Sequence, residues 1–359
     1  MARCSSLKVL ASPYLEWSDN NPVQPLLYEA MKKHSVEVAA FSTRKLLHGS
    51  WNVWHLHWPE SLTNKTGIGA IILAILKFLV QLKLARYKKT KIFWTVHNLR
   101  PHERDHPILE RLFWWIFLPN LDGIICLSER GREQLCIQYS RARSIPIFVI
   151  PHGHYRGAYP DGMNRNQARE ALQIDSNEFV LTFLGQIRPY KGVGSLIRCF
   201  ARAQVTNAQL LVAGRPLNDA LLQEIREAAL LNPNVRLFPG FVDRNEIQKF
   251  FRATDLVVLP YSEILNSGSA ILALSFDRPI LVPALGALAE LREIVGPDWV
   301  RLYEGELSPE KICSAINWTK GRRLGLNARA PLDDLNWDRI AQMTIRAFVK
   351  TDRPGEASN

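Results

Sequence analysis

The chain has 359 residues, 47% of them hydrophobic and 22% charged. That length exceeds one ordinary core, and that balance excludes a disordered or fibrous polypeptide. A formal net charge of +11 favours an anionic partner: nucleic acid, anionic lipid or a phosphorylated substrate. The five cysteines (Cys4, Cys126, Cys136, Cys199, Cys313) are scattered, with no Cys-x-x-Cys pair and no Cys/His zinc spacing. Neither a disulfide framework nor a zinc module is expected, and a reduced compartment is the simplest setting.

The first strand is expected at Leu7–Leu10, reached without the long apolar stretch and small-residue cleavage site of a signal peptide, so a cytoplasmic location is expected. Further strands are predicted at Val36–Phe41, Val53–Leu56, Ile92–Val96, Gly123–Leu127 and Ile147–Ile150. Helices fit between them at Pro25–His34, Ile68–Tyr87, Ile108–Phe117 and Glu129–Tyr139. The segment from Ile68 to Leu84 is strongly apolar, but Lys77, Gln81 and Lys83 interrupt it. It falls short of the roughly 20 clean residues of a spanning helix. A basic stretch follows, with Lys83, Arg86, Lys88, Lys89 and Lys91. Two readings stand: a helix lying on anionic lipid, or a covering helix of an α/β domain with a solvated basic end.

After a polar stretch from Pro151 to about Asn166, a short helix at Gln167–Leu172 and a linker at 174–178, a second alternating series begins. Strands are predicted at Phe179–Leu184, Gln209–Ala213, Val235–Phe238, Leu256–Leu259 and Ile280–Val282. Helices are predicted at Val193–Ala203, Asp219–Leu230 and Arg244–Phe251, with a last one at Trp337–Val349 that could return to the first domain. Several strands are apolar throughout, as in parallel sheets covered on both faces. The expected architecture is α/β: two doubly wound parallel-sheet domains, 1–170 and 175–335, facing a cleft, with a helix at 337–350 packing back on the first.

In such sheets ligands bind beyond the carboxyl ends of strands. The clearest candidate is Gly185-Gln-Ile-Arg188-Pro-Tyr-Lys191-Gly192, between a strand and a helix. A forked guanidinium, a point charge and helix N–H groups suit a diphosphate. The alternative is an ordinary turn with two solvated cations; Gly-Lys-Ser/Thr is absent, so it is not a Walker loop. Asn266-Ser267-Gly268-Ser269 either contacts phosphate before a helix or caps that helix, and both roles are compatible. In the first half, His, Trp and Glu recur at Trp54–Glu60, His97–Glu103 and Pro151–Tyr155. Rings beside polar groups make a sugar platform; the His/Glu spacings match no standard metal set.

The run Gly185–Gly192 resembles the diphosphate loop of the family 4 GT-B glycosyltransferases. So do Leu210–Gly214, Val235–Val242 and Ala253–Tyr261, in the family's order, with looser matches at Thr95–Asn98, Ile124–Glu129 and Ile150–Gly153. The first-domain motifs look most like bacterial exopolysaccharide mannosyltransferases that extend lipid-diphosphate-linked oligosaccharides, some of which invert. The resemblance implies a GT-B fold and a nucleotide-sugar co-substrate, GDP- or UDP-linked, with no cofactor and no metal. The donor set would be Gly185, Arg188, Lys191, Glu263, Asn266, Ser267, Gly268 and Ser269, with Arg188 and Lys191 on the diphosphate. His97 would line the sugar pocket, Glu60 or Glu103 would act as base, and His57, Trp58, His152 and His154 would meet the acceptor. Family 4 retaining enzymes usually carry two glutamates eight positions apart; Glu263 or its neighbourhood stands for the first, and Leu272 occupies the place of the second. Retention or inversion is therefore left open.

The implied activity is transfer of a sugar, best matched by mannose from GDP-mannose, to a lipid-diphosphate-linked oligosaccharide in exopolysaccharide or glycolipid synthesis. The enzyme would be peripheral, on the inner face of the plasma membrane. The rivals are a soluble small-molecule glycosyltransferase or nucleotide-sugar epimerase on the same fold, a silent sugar-nucleotide sensor, and a nucleic-acid binder. The last has only the net charge behind it, and no nucleic-acid partner is expected.

Overall fold

The computed structural model describes residues 6–14, 21–63, 67–99, 106–321 and 328–351. Two compact units emerge, Met1–Gly153 with Leu335–Asn359, and His154–Asp334.

The first unit alternates β1 (Lys8–Ser12), α1 (Val23–Lys33), β2 (Glu37–Ala40), α2 (Thr43–His48) and β3 (Val53–His57). It continues with α3 (Ile68–Tyr87), β4 (Lys91–Val96), α4 (Pro107–Phe117), β5 (Gly123–Cys126), α5 (Glu129–Gln138) and β6 (Ile147–Val149). The strands form one parallel sheet in the order β2-β1-β3-β4-β5-β6. Chain direction reverses its lateral course between β1 and β3, so the loops after these strands open at a topological switch point. Every residue of β3 is buried, yet two of them are histidines, which a strand covered on both faces does not normally carry.

Helix α3 covers the unit with one face, as the second of the two readings expects. Ile71, Ile75, Phe78, Leu82 and Ala85 recur at helical spacing and are buried against the unit. The opposite side is also apolar but exposed: Ile68, Ile72, Leu73, Leu76 and Val80, with Leu73 at 68% and Val80 at 65%. Helix α4 packs beside it through Phe78, Phe113 and Phe117 and exposes Ile108, Leu112 and Trp115. Part of the basic stretch serves the fold. Arg86 pairs with buried Asp122 at 3.0 Å, and Asp122 accepts from the Ile92 backbone N–H at 2.7 Å. Lys77, Lys83 and Lys89 stay exposed.

The second unit runs α6 (Arg165–Ala171), β7 (Phe179–Leu184), α7 (Val193–Ala203), β8 (Ala208–Gly214), α8 (Asp219–Ala229) and β9 (Val235–Pro239). It continues with α9 (Ile247–Ala253), β10 (Leu256–Val258), α10 (Gly268–Ser275), β11 (Ile280–Pro283), α11 (Ala287–Val295), β12 (Val300–Tyr303) and α12 (Pro309–Lys320). Its parallel sheet has the order β12-β11-β10-β7-β8-β9, so the switch point lies between β7 and β10. The elements α2, α11, β12 and α12 were not expected. β12 is a four-residue edge strand with Arg301 exposed, too short and too polar to announce itself. A final helix, α13 (Trp337–Lys350), belongs to the first unit. Its buried stripe of Ile340, Ala341, Thr344, Ala347 and Phe348 packs on α1, and the Phe348 ring meets Phe93.

Asp255, inside one of the family-like motifs, is a structural tie. One oxygen accepts from Arg165 at 2.5 Å; the other accepts from Arg169 at 2.8 Å and from the Val180 backbone N–H at 2.8 Å. Arg169, only 2% exposed, donates further to the carbonyls of Ala253, Asp175, Ser176 and Glu178. The guanidinium thus joins α6 to the ends of β7 and β10. Removing one partner of a buried pair leaves the other charge uncompensated. Asp255→Ala should therefore lower unfolding free energy by about 3–5 kcal/mol. Urea unfolding checks this; a loss below about 1 kcal/mol would remove Asp255 from that role.

Candidate active site

In the second unit, β7 and β8 approach so closely at their carboxyl ends that a Cβ on Gly214 would lie 1.8 Å from the Gly185 carbonyl oxygen. Gly192, at φ 64°, abuts the loop after β10, where a Cβ would stand 2.3 Å from the Pro260 carbonyl. The two loops are also bonded directly, Ser262 N–H donating to the Tyr190 carbonyl at 2.8 Å. The glycines bring the phosphate-loop candidate and the Asn266–Ser269 run together at the switch point.

Gly185 is the floor of this place: a Cβ there would be 3.1 Å from Ser269 Oγ and 3.6 Å from Lys191 Nζ. Lys191 Nζ lies over the Tyr261 ring at 5.8 Å. Burial and then the Arg188 charge push the Lys191 ammonium down to about 8. Arg188 donates to the Ile187 carbonyl at 3.0 Å. Ser267 accepts from the Ala270 N–H at 3.1 Å, so it is the N-cap of α10, and its hydroxyl lies 3.3 Å from the Tyr261 hydroxyl. Half-buried Gly268 lies against the Tyr155 hydroxyl, which a Cβ would meet at 3.0 Å. Asn266 is half-buried and Glu263 exposed beside them. The arrangement can receive an anion: two cations, a helix N-terminus and small side chains that let its backbone come near. Tyr261 and Tyr155, which end two of the sequence motifs, were not expected among the donor set. The aromatic following Pro260 was the only signal for Tyr261.

In the first unit, β3 and β4 deliver a second cluster. His57 is 4% exposed, with Nε2 at 2.9 Å from Tyr28 Oη and Nδ1 at 2.8 Å from His97 Nε2. It therefore stands behind His97 rather than at a surface. Trp58 follows the strand with φ 48°, in the left-handed region, and stacks on His97 at 4.3 Å. His97 itself is half-buried. Glu60 sits in a short 3-10 turn, Pro59–Thr63, and is buried. Neither of its carboxylate oxygens makes a full hydrogen bond. Burial pushes this carboxyl up to about 8, with its own backbone and Asn98 only moderating the rise. Glu103 lies outside the described residues. His152, in the first unit, donates its Nδ1–H to the Gly153 carbonyl at 2.7 Å. His154 falls in the second unit, its Nδ1 accepting from Arg156 N–H at 3.2 Å.

Residues 164–274 match the family model described as Glycosyl transferases group 1. The GDP-mannose:glycolipid 4-beta-D-mannosyltransferase of Xanthomonas campestris pv. campestris is 29% identical, over 99% of this chain and 96% of that protein. A D-inositol 3-phosphate glycosyltransferase of Mycobacterium sp. is 31% identical over 46% of this chain and 38% of its own length. Among solved structures, sucrose-phosphate synthase from Thermosynechococcus elongatus superposes with a TM-score of 0.67, at 15% identity, over 96% of this chain and 98% of that one. Anabaena HepE in complex with UDP and glucose gives 0.62, at 14% identity, over 94% and 95%. The fold is GT-B. Together the likenesses define the class, a glycosyltransferase resembling the group 1 enzymes.

The state of Glu60 has a measurable consequence. A carboxyl raised from its usual range binds a proton in the folded protein that the unfolded chain has released, so its stabilisation is lost as pH rises toward about 8. At about 1.4 kcal/mol per tenfold change in proton affinity, up to roughly 5 kcal/mol is involved. Glu60→Gln, which mimics the protonated carboxyl, should gain stability over the unsubstituted protein between pH 5 and 8.5. Melting curves across that range check it; parallel curves would mean that Glu60 is ionised and solvated.

Proposed function

We propose that the chain transfers mannose from GDP-mannose to a lipid-diphosphate-linked saccharide. The observation that carries this reading is the desolvated Lys191 ammonium beside Arg188, beyond the end of β7. A cation held apart from water stabilises an anion more than a solvated one does, and Arg188 adds a second charge beside it. They would hold the donor diphosphate through Arg188 and Lys191, with Ser269 and the α10 N-terminus at its edge. The same cations would take up the charge that grows on the departing GDP, so the reaction needs no metal at that point. His97 would contact the sugar, and Glu60 or Glu103 would remove the acceptor hydroxyl proton. For Glu60 this requires the carboxylate form, which prevails only above about pH 8 in the empty protein. The mannose and glycolipid assignments rest on the full-length likeness to the Xanthomonas enzyme.

Labelled GDP- and UDP-sugars offered with polyprenyl-diphosphate saccharides should show mannosyl transfer from GDP-mannose. Arg188→Ala and Lys191→Ala should each lower kcat/KM by about 100-fold or more with unchanged melting temperature. Near-normal kinetics in both variants, or transfer only to soluble acceptors, would overturn the reading.

We further propose that the exposed faces of α3 and α4 rest on an anionic bilayer, which would bring the enzyme to a lipid acceptor on the inner face of the plasma membrane. Helix α3 has 20 residues, and an 18-residue stretch of it has a mean hydropathy of 2.1. One stripe is committed to the unit's core, while Leu73, Leu76 and Val80 meet solvent beside exposed Lys77 and Lys83. A helix that is apolar on both sides and fringed with lysines matches the lipid interface in polarity and sign. Flotation with phosphatidylglycerol vesicles should recover the protein at low salt and fail for Leu73→Glu/Val80→Glu. Equal recovery of that variant, or self-association through this face without lipid binding, would refute the assignment.

A further inference from the structure

The histidines behind His97 form a directional chain. Thr95 Oγ1 is 2.7 Å from His55 Nε2, and His55 Nδ1 is 3.0 Å from Tyr28 Oη. The same hydroxyl is 2.9 Å from His57 Nε2, and His57 Nδ1 is 2.8 Å from His97 Nε2. Tyr28, His55, His57 and Thr95 are all buried, so these bonds are sheltered from competing water. Burial lowers the affinity of all three rings for a second proton, to about 3 for His55. Each neutral imidazole then carries one N–H, a donor at one nitrogen and an acceptor at the other.

That restriction leaves few arrangements. If the Tyr28 hydroxyl donates to His57 Nε2, His57 must donate from Nδ1 to His97 Nε2, and His97 carries its proton on Nδ1. Tyr28 then accepts from His55 Nδ1–H, and His55 Nε2 accepts from Thr95. If instead Tyr28 donates to His55, every bond reverses. His97 Nε2–H donates to His57 Nδ1, His57 Nε2–H to Tyr28, and His55 Nε2–H to Thr95. In the first polarity all three histidines are Nδ1–H tautomers; in the second all are Nε2–H tautomers. A mixed set either sets two acceptors against each other or has both rings donate to Tyr28 and takes its proton out of the chain, and either one breaks the single direction.

We infer that Tyr28, His55 and His57 are positioning residues for His97: one hydrogen-bond chain compels the three rings to share a tautomer and so decides whether His97 Nδ1 donates or accepts. The link to catalysis rests on the sugar-contacting role proposed for His97. The chain itself rests only on the bonds described. A sugar hydroxyl can satisfy either kind of nitrogen, but only with its own proton directed accordingly, so the chain's polarity selects one orientation of the bound sugar. A ligand that changes what His97 meets would reset His55 as well, although His55 is fully buried.

Ring nitrogen shifts of the full chain labelled with [15N]histidine test this without any substrate. The expected result is one common neutral tautomer for His55, His57 and His97 at pH 7. Tyr28→Phe keeps the ring and removes the shared hydroxyl; it should let His55 and His57 differ, and lower kcat by about 10-fold or more with little change in KM for GDP-mannose. Thr95→Val should weaken the tautomer bias of His55, and Thr95→Ser should restore it. Mixed tautomers in the unsubstituted protein, a doubly protonated ring at pH 7, or shifts unaltered by Tyr28→Phe would each overturn the inference. A shared tautomer in a protein that transfers no mannose would overturn the functional reading and leave the chain standing.

Discussion

An ammonium kept from water beside a guanidinium is the constraint around which the second unit is arranged. Neither cation would be placed there by packing alone, because burial disfavours the charged form of Lys191 and Arg188 repels it. The arrangement persists because the backbone allows no other course: Gly185, Gly192 and Gly214 let three strand ends converge to distances at which a Cβ would collide. The electrostatic cost is then available to any anion that enters, since binding removes the repulsion that the empty site carries. This is the usual logic of a preorganised site, in which the fold rather than the ligand does the work of bringing like charges together.

The first unit shows the same economy in neutral groups. Two histidines stand in a strand whose every residue is buried, and the polar atoms they bring inside are joined to Tyr28, Thr95 and His97. Glu60, a few residues on, is buried without such bonds, and burial favours its protonated form. The contrast is physical: imidazoles and hydroxyls can be donors and acceptors in turn along a chain, while an ionised carboxylate needs donors on both oxygens. Structural ties are kept apart from both clusters. Asp255 with Arg169 joins α6 to β7 and β10, and Asp122 with Arg86 anchors the end of α3.

The likeness to known glycosyltransferases is uneven along the chain, and the structure accounts for part of the unevenness. The family match covers 164–274, the region of the second unit that holds β7, β8, β9, β10 and the loops at its switch point. The first unit lies outside that match, and it carries the exposed apolar face of α3 and the histidine strand β3.

Most strands were legible because both faces of a parallel sheet are covered, so that runs such as Phe179–Leu184 must be apolar throughout, whatever follows them. The loop Gly185–Gly192 stood out for a related reason: glycines mark a close backbone approach, and two cations share one turn. β12, α11 and α12 were not, being a short edge strand and helices whose patterns carry ordinary surface charge. The tautomer chain was equally hidden, since it depends on distances between Tyr28, three histidines and Thr95 that lie up to 69 positions apart. Composition and periodicity therefore determined the two parallel sheets and the cationic turn, because local rules of burial and backbone freedom govern them. Which side of α3 is covered, whether Glu60 meets water, and which groups share a proton were decided by tertiary packing alone, because solvent exclusion and hydrogen-bond direction exist only once distant segments have met.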